Sequence, residues 1–287
     1  MNIVWLNGQR ITGPLPLDAA DRGLLLGDGV FETLLVLNGT PIWLEAHLAR
    51  LLNAAAALDL EIQPETVRQA VAQAVHGRSG TLRISLTRGA TQTRGLSITG
   101  TSRSNLLLSM SARVPGPLFS PVRLITSRVR RNSHSLTSRY KTLSYIDNIA
   151  AAREASAKNV DDALMLNTDG RVACSTISNI CILQGRAILT PDHESEGALQ
   201  GITLHKIQTD VAPTLGLTFM RMAIEPEQIL SADAVFLTNS LRIVMPVAEL
   251  DSTPLNQGGA EAIAQIADGL CKSIKELSGA DPRDEAR

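Results

Sequence analysis

Ser138-Arg139-Tyr140-Lys141-Thr142-Leu143-Ser144-Tyr145-Ile146-Asp147-Asn148 is the stretch from which the rest of the chain can be read. It sets one lysine among polar residues, just ahead of an Ala-rich apolar pattern that predicts a helix from about Ser144 to Asn159. Lys141 is the only lysine between Met1 and Lys158. Taken alone it reads as a solvated charge, because a free lysine amine has a pKa of roughly 10.4 and is a poor base or nucleophile at neutral pH. Burial or cationic neighbours would have to lower that value before the amine could do chemistry.

Working outward, Ile3 to Leu6 and Leu34 to Leu37 read as short strands, the second closed by the tight-turn pair Asn38-Gly39. After Pro41 a helical stripe carries Leu48, Leu51, Leu52, Ala55 and Leu58, with Arg50 off the stripe and His47 an ordinary polar or capping side chain. A second helix follows Pro64 through Val67, Ala70, Val71 and Ala74, and Thr81 to Thr87 alternates as a strand ending in Arg88-Gly89. Pro115, Gly116, Pro117 and Pro121 leave no room for a regular element, so a linker is expected at 115–121 between domains 1–114 and 122–287, the second holding Lys141. Beyond it, Val122 to Arg128, Ala163 to Leu166, Val172 to Leu183 and Ala187 to Thr190 read as strands, the last three as antiparallel neighbours. The tail from Ser278 to Arg287 is polar and expected to fray.

Composition narrows the function classes. A formal charge of −1 and an aromatic content of 3% lack the basic face of a nucleic-acid binder. No apolar run approaches the ~20 residues of a membrane span, and Met1 to Arg10 has no secretory pattern, so no membrane partner and a cytoplasmic location are expected. Cys174, Cys181 and Cys271 lack zinc-site spacing, and no two histidines are four apart, so neither a disulfide framework nor a metal site is expected.

Six further motifs accompany Lys141 in order: Asp21-Arg22-Gly23 with Gly27-Asp28-Gly29-Val30-Phe31-Glu32-Thr33, His47-Leu48-Ala49-Arg50-Leu51, Ser178-Asn179-Ile180, Gly197-Ala198-Leu199-Gln200-Gly201-Ile202-Thr203, Thr238-Asn239-Ser240, and Met245-Pro246-Val247. The ordered set, from about Asn7 to Val247, resembles the class IV aminotransferase family, the fold type IV enzymes dependent on pyridoxal 5'-phosphate (PLP). That family includes branched-chain aminotransferases, D-amino acid aminotransferases and aminodeoxychorismate lyases. The resemblance implies an α/β (α+β) fold of two domains, D-amino acid aminotransferase-like, with PLP in the cleft between them and a homodimer whose sites use both subunits.

It also implies roles for individual residues. Lys141 would hold PLP as a Schiff base and then serve as acid and base. Arg50 matches the family's phosphate arginine, Ile202 and Thr203 its phosphate-binding main chain and hydroxyl, and Ser240 a nearby hydroxyl. Gly201-Ile202-Thr203 suits that role physically, because a helix start offers unpaired N–H groups and a favourable dipole; without the resemblance it reads as a helix cap. Asn179 belongs to the cofactor-binding motif, and Phe31 matches an aromatic that lines the pocket.

One position departs from the pattern. Five residues before the motif asparagine the family carries a glutamate that keeps the pyridine nitrogen of PLP protonated; here that residue is Cys174, with no acidic residue between Gly170 and Asn179. A thiol is a weak donor, so the electron sink would be weaker. Transamination would suffer more than β-elimination, in which the leaving group drains charge from the substrate carbon.

Val129-Arg130-Arg131-Asn132, and Phe236 to Leu241 ahead of Met245, look most like aminodeoxychorismate lyases, which release pyruvate from 4-amino-4-deoxychorismate and leave 4-aminobenzoate, a folate precursor. A small amino substrate bearing carboxylates needs cationic partners, and Arg88, Arg94 and Arg130 are the candidates. The alternatives are an aminotransferase for D- or branched-chain amino acids and a weakly active PLP-binding protein in which Cys174 marks lost function.

Overall fold

The computed structural model describes residues 3–91, 95–98, 103–113 and 118–284. They fall into two compact units, one of Met1–Pro115 with Tyr140–Ser144 and Leu277–Ala280, the other of Gly116–Arg139 with Tyr145–Glu276 and Asp281–Arg287. Of the expected linker, 115–117 lies outside the described residues.

The first unit is built on strands β1 (Ile3–Leu6), β2 (Gln9–Ile11), β3 (Gly29–Leu37), β4 (Thr40–Pro41), β5 (Gly80–Thr87) and β6 (Asn105–Ser111), in the order β2-β1-β6-β5-β3-β4. Strand β3 begins five residues before the expected Leu34 and pairs with β5 from Gly29↔Thr87 to Val36↔Gly80. Its residues are buried on both faces, so the sequence shows no alternation from which its start could be read. Asn38 and Gly39 turn the β3–β4 hairpin with φ of 50° and 74°, the left-handed pair that an Asn-Gly turn supplies.

Helices α1 (Arg22–Leu26), α2 (Leu44–Ala57) and α3 (Pro64–Val75) complete this unit. Leu48, Leu51 and Ala55 of α2, and Val67, Ala70, Val71 and Ala74 of α3, share one core with Leu34, Leu82, Ile84 and Leu108 of the sheet. On α2 the stripe is rotated from the expectation: His47 and Ala54 are buried, while Leu52 and Leu58 are only half-buried.

The second unit carries β7 (Val122–Thr126), α4 (Leu136–Arg139), α5 (Ile146–Ala157), β8 (Asp162–Leu166), β9 (Val172–Ser175), β10 (Asn179–Gln184), β11 (Ala187–Pro191) and α6 (Ile202–Lys206), the last continued by a π-turn over Ile207–Val211. It continues with β12 (Thr218–Met222), α7 (Pro226–Ser231), β13 (Ala234–Asn239), β14 (Ile243–Leu250), β15 (Thr253–Pro254) and α8 (Ala260–Ser278). Its sheet runs β12-β11-β10-β13-β14-β7-β8-β9, with β15 on β14.

The expected single strand Val172 to Leu183 is two strands. Asp162 accepts from the backbone and hydroxyl of Thr176, and Ser178 N donates to Ser175 Oγ, so the chain turns at Thr176–Ser178. Accordingly β9 pairs with β8, whereas β10 pairs with β11 and β13. Helix α8, not anticipated from sequence, buries Ile263, Ile266, Ala267, Leu270, Cys271 and Ile274, a spacing of three and one that marks one helical face. Among the described residues no helix is long and apolar enough to cross a membrane.

Candidate active site

Lys141 lies with the first unit and not, as expected, with the second. The reason is a short backbone ladder: Phe31 N donates to Lys141 O at 2.8 Å, Leu143 N donates to Gly29 O at 2.9 Å, and Val30 bridges Thr142. Two glycines make room for it. A Cβ on Gly29 would stand 2.5 Å from Leu86 O and 2.7 Å from Leu143 Cδ1, and Gly27, with φ of 68°, would set one 2.5 Å from Ser144 Oγ. The motif Gly27-Asp28-Gly29 is thus the seat of the lysine segment.

The ladder brings the Lys141 side-chain nitrogen to 4.3 Å from the centroid of the Phe31 ring, while the Arg83 guanidinium carbon stands 3.8 Å from the same centroid. Phe31 is buried, and Lys141 and Arg83 are half-buried. Sequence reasoning passed over Arg83. Its signal was a charged residue inside the otherwise apolar and hydroxylated strand Gly80-Thr81-Leu82-Arg83-Ile84-Ser85-Leu86-Thr87.

The next residue, Glu32, points into the core and is 1% exposed. Arg50 Nε donates to its Oε1 at 2.7 Å and Arg50 Nη2 to its Oε2 at 2.7 Å, and His47 Nδ1 meets Oε2 at 2.7 Å. Burial pushes the Glu32 carboxyl up, but the Arg50 guanidinium and His47 outweigh it and hold the group well below the usual carboxylate range. Burial depresses the His47 imidazole against the pull of Glu32. An ionised Glu32 needs a donor at Nδ1, so His47 carries its proton there, and its buried Nε2 has no partner among the described residues. Glu32 is thus the unread partner of both Arg50 and His47.

Arg88 is placed otherwise than expected of a substrate arginine. Buried, it donates to both oxygens of Asp28 at 2.8 and 3.2 Å and to the carbonyls of Leu58 and Asp59. Asp28 also accepts from Arg22 Nε at 2.8 Å; burial pushes its carboxyl up, and the two arginines hold it below its ordinary value. The pair locks the loops around the glycine motif. Arg94 lies outside the described residues, and Arg130 is exposed.

In the second unit Asn179 organises the turn that leads into Gly201-Ile202-Thr203. It faces Thr238 across β10 and β13, and its Nδ2 donates to Leu199 O at 2.7 Å. Its Oδ1 and Leu204 Cβ occupy the space that a side chain on Gly201 would need, so only glycine fits there. Gly201 opens α6, with Ile202 and Thr203 in the first turn. The hydroxyls of Thr203 and Thr238 are buried and have no hydrogen-bond partner among the described residues. Buried hydroxyls of this kind at a helix start are a donor set that an oxyanion can complete. Ser240 is half-buried and lies within a turn in which Asn239 Oδ1 accepts from Leu241 N and Arg242 N.

Cys174 on β9 is buried with Ala151 and Ala155 of α5 and Ala163 and Met165 of β8. Burial pushes its thiol up, against a downward pull from Arg131.

The sequence profile of the family described as amino-transferase class IV matches residues 29–250. Aminodeoxychorismate lyase of Bacillus subtilis is 27% identical over 287 residues, covering 96% of each chain. Branched-chain-amino-acid aminotransferase-like protein 2 of Arabidopsis thaliana is 29% identical over 263 residues, and the chain spans less than half, 46%, of that relative's length. The crystal structure of 4-amino-4-deoxychorismate lyase from Pseudomonas aeruginosa superposes with a TM-score of 0.84 at 28% identity, covering 94% of this chain and 98% of that one. The chain belongs to the class IV aminotransferases, PLP-dependent enzymes of fold type IV.

Proposed function

We propose that this enzyme is an aminodeoxychorismate lyase, which eliminates pyruvate from 4-amino-4-deoxychorismate and leaves 4-aminobenzoate, and that it works as a homodimer. The observation that carries the reading is the pair of cationic side chains on Phe31: Lys141, at 4.3 Å, supplies the reacting amine, and Arg83, at 3.8 Å, supplies a partner for a substrate carboxylate. Near-complete coverage of the Bacillus lyase, 96% of each chain, supports the choice of reaction.

The residues fit PLP. The unmet hydroxyls of Thr203 and Thr238, with the main chain at Ile202, suit its phosphate, and Arg50 and Ser240 are assigned to the same group on the family pattern. Bound there, PLP would supply an aldehyde to the substrate amine and a ring able to withdraw electrons from the amine-bearing carbon. Lys141 would hold the cofactor and take the proton from that carbon as the neighbouring ring carbon–oxygen bond to the three-carbon unit breaks. It would then return a proton to the methylene carbon of that unit, which leaves as pyruvate. Phe31 supports the Lys141 side chain by its ring face. Glu32 and His47 fix the orientation of Arg50. Cys174 is assigned to the ring nitrogen, where a thiol favours elimination over amino transfer.

Pyruvate release from aminodeoxychorismate without an added keto acid tests the reading, with borohydride reduction and peptide mapping expected to fix the cofactor on Lys141. Cofactor on another residue, or no pyruvate, overturns it. Cys174→Glu is expected to raise amino transfer relative to elimination; no gain sinks the role given to the thiol. A second reading, an aminotransferase for branched-chain or D-amino acids, draws on the 29% identity to the Arabidopsis relative and predicts keto-acid-dependent amino exchange in place of pyruvate release. Light scattering at the mass of one chain would overturn the homodimer.

A further inference from the structure

Arg131 is 6% exposed and has no ion pair among the described residues. Its guanidinium donates to Gly197 O at 2.7 Å, Ser138 O at 3.1 Å and Asn148 Oδ1 at 3.4 Å, all of them neutral acceptors. A buried guanidinium without a counter-charge is costly, and proteins rarely keep one without a use.

Its backbone fixes where that charge sits. Arg131 N donates to Leu166 O at 2.9 Å and Thr168 N to Arg131 O at 3.0 Å, so Arg131 flanks the end of β8 on one side. On the other side lies β9, where Cys174 faces Met165 of β8. Asn148 ties the two sides together: it accepts from Arg131, and its Nδ2 donates to Thr176 O at 2.6 Å, two residues beyond Cys174. The charges acting on Cys174 are Arg131 and Asp162. Asp162 is already engaged, accepting from Ala163 N at 2.8 Å, from Thr176 N at 3.3 Å and from the Thr176 hydroxyl. The site therefore holds a thiol, the hydrogen-bonded Asp162 carboxylate and a cation that makes no ion pair among the described residues, and of the two charges Arg131 weighs more on the thiol.

We infer that Arg131 is a positioning residue whose buried charge, acting beside Cys174, keeps the pyridine nitrogen of bound PLP free of its proton. This rests on the assignment of Cys174 to the ring nitrogen under Proposed function. Cys174 offers that nitrogen only a weak donor, and a cation nearby raises the cost of a second positive charge in a poorly screened interior.

The test is nitrogen NMR of the holoenzyme loaded with ring-¹⁵N PLP, titrated from neutral pH into acid. The wild-type protein is expected to show the unprotonated nitrogen at neutral pH and to take up its proton only on acidification. Arg131→Gln should raise the proton affinity of that nitrogen at least about tenfold, moving its titration up by about one pH unit, while Arg131→Lys should stay with the wild type. A protonated nitrogen in the wild type at neutral pH, or the same titration in Arg131→Gln, overturns the inference. Should Arg131→Gln fail to fold, Asn148→Asp keeps the test open: it sets a counter-charge on the guanidinium and is expected to raise the proton affinity of the nitrogen as Arg131→Gln does, and an unchanged titration there overturns the inference. Absence of any cofactor signal, with nothing fixed to Lys141 by borohydride, overturns the cofactor reading itself.

Discussion

Arg50 grips Glu32 with two hydrogen bonds of 2.7 Å, and the carboxylate it grips is 1% exposed. Such a pair is weak evidence for net stability, because desolvation offsets much of the attraction, but it is a sharp orienting device. Removing its anion takes from Arg50 the carboxylate that orients it. Glu32→Gln is expected to cost about 3 to 5 kcal/mol in chemical denaturation. It should also weaken PLP binding, read as cofactor lost on dialysis. An unchanged denaturation midpoint would show that the pair is not a structural anchor.

Acid should destabilise this unit in two steps. His47 has a lowered folded pKa, so the unfolded chain takes its proton first, and stability falls as pH drops through the unfolded value of about 6.5. Glu32 has a strongly lowered folded pKa, so its contribution is complete above about 4.3 and is lost as pH falls further. Thermal melts of the wild type and His47→Gln across this range should differ in the upper step only. A histidine variant that keeps the upper step would place the responsible group elsewhere.

Gly29→Ala should strike both stability and activity. The new methyl meets Leu86 O, a backbone atom that cannot swing aside, and it also meets Leu143 Cδ1 in the lysine segment. A loss of about 1 to 3 kcal/mol is expected, with a fall in turnover because the segment carrying Lys141 must lift. Gly8→Ala, where no atom lies within 4 Å of the new carbon, is the control for backbone strain at an open site.

Arg83→Gln should raise KM for a carboxylate-bearing substrate about tenfold to a hundredfold, the value of one charge-assisted hydrogen bond, while changing kcat less. Arg83→Lys should recover part of the loss, because an ammonium restores the charge but not the fork. Equal losses in kcat and kcat/KM would instead tie Arg83 to the chemical step.

What the sequence disclosed divides along a physical line. Local signals were sound: Asn38-Gly39, Pro64 at the first turn of its helix, and the apolar stripe from Val67 to Ala74 all act over a few neighbouring residues. Partnerships across strands were not readable. His47 passed for an ordinary polar residue because Glu32, fifteen positions away, has no periodic relation to it. Arg88 passed for a substrate residue because its acceptor, Asp28, stands sixty positions earlier. Helix α8 is a different kind of miss, since the spacing of Ile263, Ile266, Ala267, Leu270, Cys271 and Ile274 was present and unused.

The seating of Tyr140–Ser144 on strand β3 has a consequence for biogenesis. A ribosome that has released only the first hundred or so residues has made the receptor for this segment without the segment itself. With Lys141 in the role proposed for it, the nitrogen that would capture the vitamin arrives on chain synthesised afterwards, and cofactor loading would be a late event, scheduled by the order of translation.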